Sequence, residues 1–183
     1  NGSKKKLKEK LEKFYDEQAW PHMTLGGFIE DCAKKYGDKI ALVDGDVELS
    51  YQELNRKACH YANGLLKAGF EKGDKIVLQL PNCHEFVIIL FAMFKIGVIP
   101  VLSLPAHRKN EIKGILEKSG AKAYIAKDKY LGFSYVDMIR EVREELNINF
   151  EVYILGDNQG YKNFYKLNDK DYPSQYIDID YHI

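Results

Sequence analysis

The chain has 183 residues, with 27 lysines and arginines against 27 aspartates and glutamates, so no overall electrostatic case exists for a nucleic-acid partner. Its three cysteines, Cys32, Cys59 and Cys83, form no Cys-x-x-Cys pair and leave an odd one over if two were bridged, which fits reduced thiols in a cytoplasmic protein. No signal peptide precedes the globular pattern, and the opening Asn1-Gly2-Ser3 without a Met reads as an expression scar ahead of a truncated start.

Residues 1–23 are read as an N-terminal amphipathic helix and linker, and residues 24–183 as one α/β unit. From Lys4 to Gln18, the positions Leu7, Leu11, Phe14, Tyr15 and Gln18 fall at helical spacing, which predicts a helix laid against the body. Its lysine run suits an anionic membrane surface. The apolar stripe is narrow, however, and Glu9 and Glu12 interrupt the basic face, so a solvated face is expected and no membrane partner. Thr24 caps a second helix through about Tyr36, ended by Gly37. Ile40 to Val43 and Val47 to Leu49 flank Asp44-Gly45-Asp46, a hairpin turn. Two carboxylates there invite a metal reading, but exposed hairpin carboxylates are ordinary turn chemistry.

Ser50-Tyr51-Gln52-Glu53 is a capping box, in which the Ser50 hydroxyl accepts a backbone N–H and the Glu53 carboxylate returns the bond. It opens a helix with Leu54, Ala58, Tyr61, Ala62, Leu65 and Leu66 on its apolar side, closed by Gly69. The period then changes, and Lys75 to Leu80 is a strand. The chain is organised around the stretch that follows. From Phe86 to Pro105 a single charge, Lys95, interrupts an apolar run long enough to span a membrane. Asn82 as N-cap with Glu85 three residues on fixes a helix start, Gly97 stops that helix, and Pro100 suits only an edge or entry position of the strand Val98–Leu102. A buried helix, a glycine turn and a buried strand replace the membrane reading. A helix near Asn110 to Lys118, a strand Lys122–Ala126, a helix capped by Ser134 and running to Glu145, a strand Glu151–Leu155 and a short helix around Asn163–Leu167 complete the pattern. Strand and helix in alternation predict a largely parallel sheet flanked by helices, with right-handed crossovers and one small hairpin.

Cys83 beside His84 suggests a nucleophile and its base, with the thiol's pKa lowered at a helix start. Neighbours on a helix point apart, which argues against the pair. His22 and His60 have no carboxylate or cysteine at ligand spacing, and no metal site is expected. His107 and Arg108, with Lys109, follow a strand at the end where open α/β sheets hold ligands, and a basic group there can meet a phosphate or carboxylate. No Gly-x-Gly-x-x-Gly, Walker loop or Gly-x-Ser-x-Gly is present. The chain lacks a phosphate loop, so its site either uses dispersed residues or lies elsewhere.

Five segments in order carry a resemblance: Thr24–Ile29, Tyr36–Asp46, Leu49–Leu54, Gly73–Asn82 and Phe94–Arg108. Together they resemble the N-terminal portion of the adenylate-forming enzymes, the group of acyl-CoA synthetases, peptide-synthetase adenylation domains and luciferase. Leu49–Leu54 is similar to the group's first core motif and Phe94–Pro105 to its second. The ending Leu104-Pro105-Ala106-His107-Arg108 is closest to the stand-alone aryl-acid branch, the 2,3-dihydroxybenzoate-AMP ligases of catechol siderophore synthesis; Ala19-Trp20, Tyr124-Ile125-Ala126 and Gly132–Tyr135 agree.

The resemblance implies a parent ligase that uses ATP and magnesium. It joins an aryl carboxylate to AMP with release of pyrophosphate, then passes the aryl group to an aryl carrier protein's thiol. The group's glycine-rich loop, acyl pocket, ribose-binding Asp and catalytic Lys all lie beyond this sequence, and Ile177–Ile183 leads toward the strand before that loop. No catalytic, cofactor-binding or metal residue is therefore carried over, and no cofactor is expected in this chain. Ser50, Tyr51, Glu53, Asn82, Glu85, Gly97 and Pro100 have structural explanations, while His107 and Arg108 mark the branch. Rival readings are a fragment of another CoA ligase or adenylation domain, a noncatalytic short relative serving as an interaction module, and an unrelated nucleotide binder. A chain cut through a domain also leaves apolar surface on which it can self-associate.

Overall fold

The computed structural model describes residues 23–170, together with 5–7, 9, 10, 12 and 13. The described N-terminal positions are helical and exposed. Leu11, Phe14, Tyr15 and Gln18 of the expected first helix lie outside the described residues, as do Ala19-Trp20, His22 and Ile177–Ile183.

Helix α1 spans Leu25–Tyr36, and the hairpin strands β1 and β2 span Ile40–Asp44 and Val47–Ser50. Then come α2 (Tyr51–Lys67), β3 (Lys75–Gln79), α3 (His84–Ile96), β4 (Ile99–Leu102), α4 (Lys109–Ser119) and β5 (Ala123–Lys127). A small hairpin of β6 (Lys129–Tyr130) and β7 (Phe133–Ser134) precedes α5 (Tyr135–Glu145), β8 (Glu151–Leu155), β9 (Lys162–Asn163) and a 3₁₀ turn at Phe164–Leu167. The β6–β7 hairpin and β9 are too short for a periodicity to reveal.

The main sheet is parallel throughout, in the order β4-β3-β5-β8-β9. Side-chain alternation separates two cores. Ile76 and Leu78 face one layer with Leu54, Ile89 and Met93, whereas Val77 and Tyr124 face the other with Ile112, Leu116 and Ile139. The chain leaves β3 toward β4 and then returns across β3 to β5, so α3 and α4 pack on opposite faces, as a constant crossover hand requires.

Both bonds of the predicted capping box form: Glu53 N donates to Ser50 Oγ at 3.2 Å and Ser50 N donates to Glu53 Oε2 at 2.9 Å. Tyr51 packs its ring against Tyr36, 5.6 Å between centroids. Gly97 closes α3 at φ 73, the left-handed position that a helix end favours for glycine. The strand after it is the sheet's edge rather than a buried strand. Among the described residues nothing pairs with the far side of β4, and Ile99 and Leu102 are exposed. Ile99 N and Ser103 N both donate to the β3 side, so the alternate position of Pro100 turns its missing N–H outward.

No residue of α3 is exposed, and the run that could have spanned a membrane is divided as its punctuation implies. Among the described residues no helix is long and apolar enough to cross a membrane. Lys95, 2% exposed, reaches Glu30 of α1 at 3.3 Å, and Asn55 of α2 donates to the same carboxylate oxygen at 3.0 Å. A buried ammonium requires such an arrangement. Its polar groups join the three helices on this face of the sheet.

Candidate functional site

The loops at the carboxyl end of the parallel strands are built from polar contacts. Gln79, the last residue of β3, is buried, and its amide donates to the carbonyls of Leu104 and His107, each at 2.9 Å. Its own carbonyl accepts the buried Tyr124 hydroxyl at 2.6 Å. Tyr135 braces the same loop by donating to Pro105 O at 2.8 Å. The turn that carries His107 and Arg108 is therefore held from below by β3, β5 and α5.

Within this turn His107 Nδ1 lies 2.9 Å from Ser103 Oγ, which sets the imidazole's orientation. Arg108 turns back: its guanidinium donates to Pro105 O and His107 O and stacks 4.0 Å from the centroid of Phe133. Its cation serves the loop's own carbonyls and an aromatic face. The two branch-marking residues thus share one braced turn, and the brace, Gln79 with Tyr124 and Tyr135, is what sequence reasoning missed. Its only trace in the sequence is a polar Gln ending an apolar strand.

The expected cap of α3 is corrected. Cys83, not Asn82, is the N-cap and makes no side-chain capping bond; Asn82 stands exposed outside the helix. Asp44 at the end of β1 takes the place of the cap, accepting from His84 N at 2.9 Å and from His84 Nδ1 at 2.8 Å. An ionised carboxylate at a helix N-terminus is a stronger acceptor than a neutral amide. Glu85 points instead toward Tyr165, whose hydroxyl donates to Oε1 at 2.9 Å, and toward His84 Nε2 at 3.4 Å. The neighbours His84 and Glu85 do meet here, at the start of α3.

These bonds act on the acids. Hydrogen bonds from the His84 ring and backbone hold the Asp44 carboxyl below its ordinary range, with Lys127 at the end of β5 adding to the effect. Burial opposes ionisation of Glu85, but its own backbone N–H and the Tyr165 hydroxyl outweigh it, and its pKa also falls. The Cys83 thiol moves the other way from the sequence expectation. Burial pushes it up to about 11, so it remains protonated and is no nucleophile.

Phosphate sites in such folds use free N–H groups at helix N-termini. Each helix that reaches this end already commits one to its own chain. Asp44 occupies His84 N on α3, Glu111 accepts from Arg108 N at 3.0 Å on α4, and Ser134 accepts from Asp137 N at 3.2 Å on α5. Two of those three acceptors are carboxylates, which repel a phosphate. Those two carboxylates, Asp44 and Glu111, disfavour a phosphate at the starts of α3 and α4.

The architecture is that of a doubly wound α/β unit, and comparison with known proteins states which one. The profile of the AMP-binding enzyme family matches residues 29–175, and the chain belongs to that family. It is 38% identical over 149 residues to 2,3-dihydroxybenzoate-AMP ligase of Bacillus subtilis, covering 81% of this chain and 28% of that enzyme. It is 37% identical over 128 residues to the salicyl-AMP ligase / salicyl-S-ArCP synthetase of Mycobacterium tuberculosis, covering 67% of this chain and 23% of that enzyme. Among solved structures it resembles apo MbtA of Mycobacterium smegmatis, with TM-score 0.81 and 28% identity over 92% of this chain and 31% of that one. The chain spans less than a third of the length of these relatives.

Proposed function

We propose that this chain is the N-terminal scaffold of an aryl-acid adenylating ligase of the cytoplasm. The parent converts 2,3-dihydroxybenzoate and ATP, with magnesium, to the aryl adenylate and pyrophosphate. It then passes the aryl group to a carrier-protein thiol in siderophore biosynthesis. The observation that carries this reading is the 38% identity over 149 residues to a 2,3-dihydroxybenzoate-AMP ligase, and the likeness to a salicyl-AMP ligase supports an aryl acid. In this chain the residues that face the carboxyl end position loops. His107 and Arg108 belong to the wall that the parent's reactive parts close over.

Acid-dependent ATP–pyrophosphate exchange by the protein from the complete reading frame tests the reading. Exchange with 2,3-dihydroxybenzoate well above that with salicylate or a fatty acid is the expected result. Preference for a fatty acid would place the parent among other CoA ligases, and no exchange with any acid would favour a noncatalytic relative. Ile99, Leu102 and Leu104 are exposed along the β4 edge, and self-association of the isolated chain through them belongs to the same proposal. A clean monomer by light scattering at high concentration would count against that part.

A further inference from the structure

We propose that the β6–β7 hairpin is an internal docking pin of the complete protein, its Leu131 seated in an apolar socket formed by parent sequence outside this chain. The inference deepens the ligase reading and rests on it only in taking the complete protein to be longer than this chain. It starts from a backbone outlier. Leu131 and Gly132 are the two central residues of a two-residue turn between the paired Tyr130 and Phe133. Their φ values are 49 and 78, so both stand in the left-handed region, as a type I′ turn requires. Glycine takes that conformation freely, whereas a leucine is strained there, and Asn-Gly is the ordinary choice. Leu131 is also 87% exposed, the most exposed large apolar side chain among the described residues. Backbone and solvent both disfavour this residue, and at that exposure it gains almost nothing from its own fold.

The hairpin that carries Leu131 is firmly mounted. Asp128 closes its base, accepting from Lys129 N at 2.7 Å on the side chain and from Tyr135 N at 2.9 Å on the carbonyl. Asp128 N in turn donates to Leu155 O at 2.8 Å, which ties the base to β8. Phe133 stands edge-on to Tyr135, 5.1 Å between centroids, and carries the Arg108 guanidinium at 4.0 Å. The hairpin is therefore joined to the His107–Arg108 turn at the carboxyl end of the sheet. A strained apolar tip on a fixed mount is a preorganised contact, in which the cost of ordering is met before the partner arrives.

The occupant is the rest of the same polypeptide. Residues 29–175 match the family profile, so the hairpin lies inside the family's own unit and is not an appendage to it. The stretch shared with the Bacillus subtilis enzyme is 28% of that enzyme, so most of such a protein is sequence that this chain lacks. The hairpin stands on the wall that this sequence closes over in the ligase reading. A second copy suits the tip less well. A two-fold contact requires one patch to complement itself, whereas a single projecting side chain calls for a concave socket on a different surface.

Thermal unfolding of Leu131→Asn, in the 183-residue chain and in the protein from the complete reading frame, tests the proposal. Asparagine accepts the left-handed turn, so in the shorter chain the substitution should raise Tm by about 2 °C. In the complete protein the same change empties the socket, and Tm should fall by about 3 °C or more. Leu131→Met, as apolar and as strained, should leave each protein within about 1 °C of its parent. A rise in both proteins, or no change in the complete one, would overturn the proposal. So would a dimer of the complete protein that Leu131→Asn dissociates in light scattering, because the socket would then belong to a second copy. These readings need no substrate, so pyrophosphate exchange by the unsubstituted complete protein judges the ligase reading separately.

Discussion

The two ends of the parallel sheet are built by different chemistry. At the amino end, helices return to strands through glycines in left-handed conformations, Gly69, Gly73, Gly97 and Gly120, whose φ values run from 63 to 91. These are local devices, set by the residue in the turn. At the carboxyl end the loops are joined by side chains distant in sequence. Gln79 holds the His107 turn, Asp44 holds the start of α3, and Tyr165 reaches Glu85. Asp128, after β5, accepts from Asp157 N at 3.1 Å in the loop after β8. The amino end relies chiefly on turns, with Lys75 donating to Ser119 O and Lys122 paired with Asp74 as added ties, whereas the carboxyl end makes a rim whose parts depend on one another. A rim built this way can present residues to a ligand or to the rest of a larger enzyme in fixed positions.

That contrast can be broken by substitution. Gln79→Leu should have the largest effect, about 3 kcal/mol in urea denaturation, because it leaves two carbonyls and the Tyr124 hydroxyl without their partner in a buried setting. A self-supporting rim would show almost none. Gly97→Ala should cost about 1–2 kcal/mol through its left-handed φ of 73, and circular dichroism should show the fold retained. Ser50→Ala should cost about 1 kcal/mol by loss of the α2 cap.

The smallest effect sharpens the comparison through pH. Asp44 and Glu85 have folded pKa values below their ordinary ones, so the stability they add is complete above the usual carboxylate range and is lost as pH falls below about 4. The double variant Asp44→Asn, Glu85→Gln should therefore lose Tm less steeply on acidification than the parent chain. Gly97→Ala, which touches no carboxylate, should retain the slope.

What was legible in the sequence follows the same division. The order of helices and strands, the Thr24 cap, the Ser50–Glu53 box, the Gly97 stop and the edge position of Pro100 are all encoded within a few residues of where they act. The Asn82–Glu85 box satisfied the same local rule and did not form, because Asp44, forty residues away, supplied a charged acceptor. Gln79 reads as a polar end to an apolar strand, and nothing near it announces bonds to the His107 turn. Lys95 read as a lone charge in an apolar helix; its partner Glu30 lies on α1. Local patterns name the elements, while the residues that assemble the candidate site belong to contacts that only the folded chain brings together.

The proposal under test is that this chain is the scaffold of an aryl-acid ligase, with one N–H at each helix start of the carboxyl end taken by the chain's own side chains. The direct test is ATP–pyrophosphate exchange with 2,3-dihydroxybenzoate, run on the 183-residue chain beside the protein from its complete reading frame. Exchange by the longer protein and none by this chain is the predicted result. Exchange by the 183-residue chain alone would contradict the account.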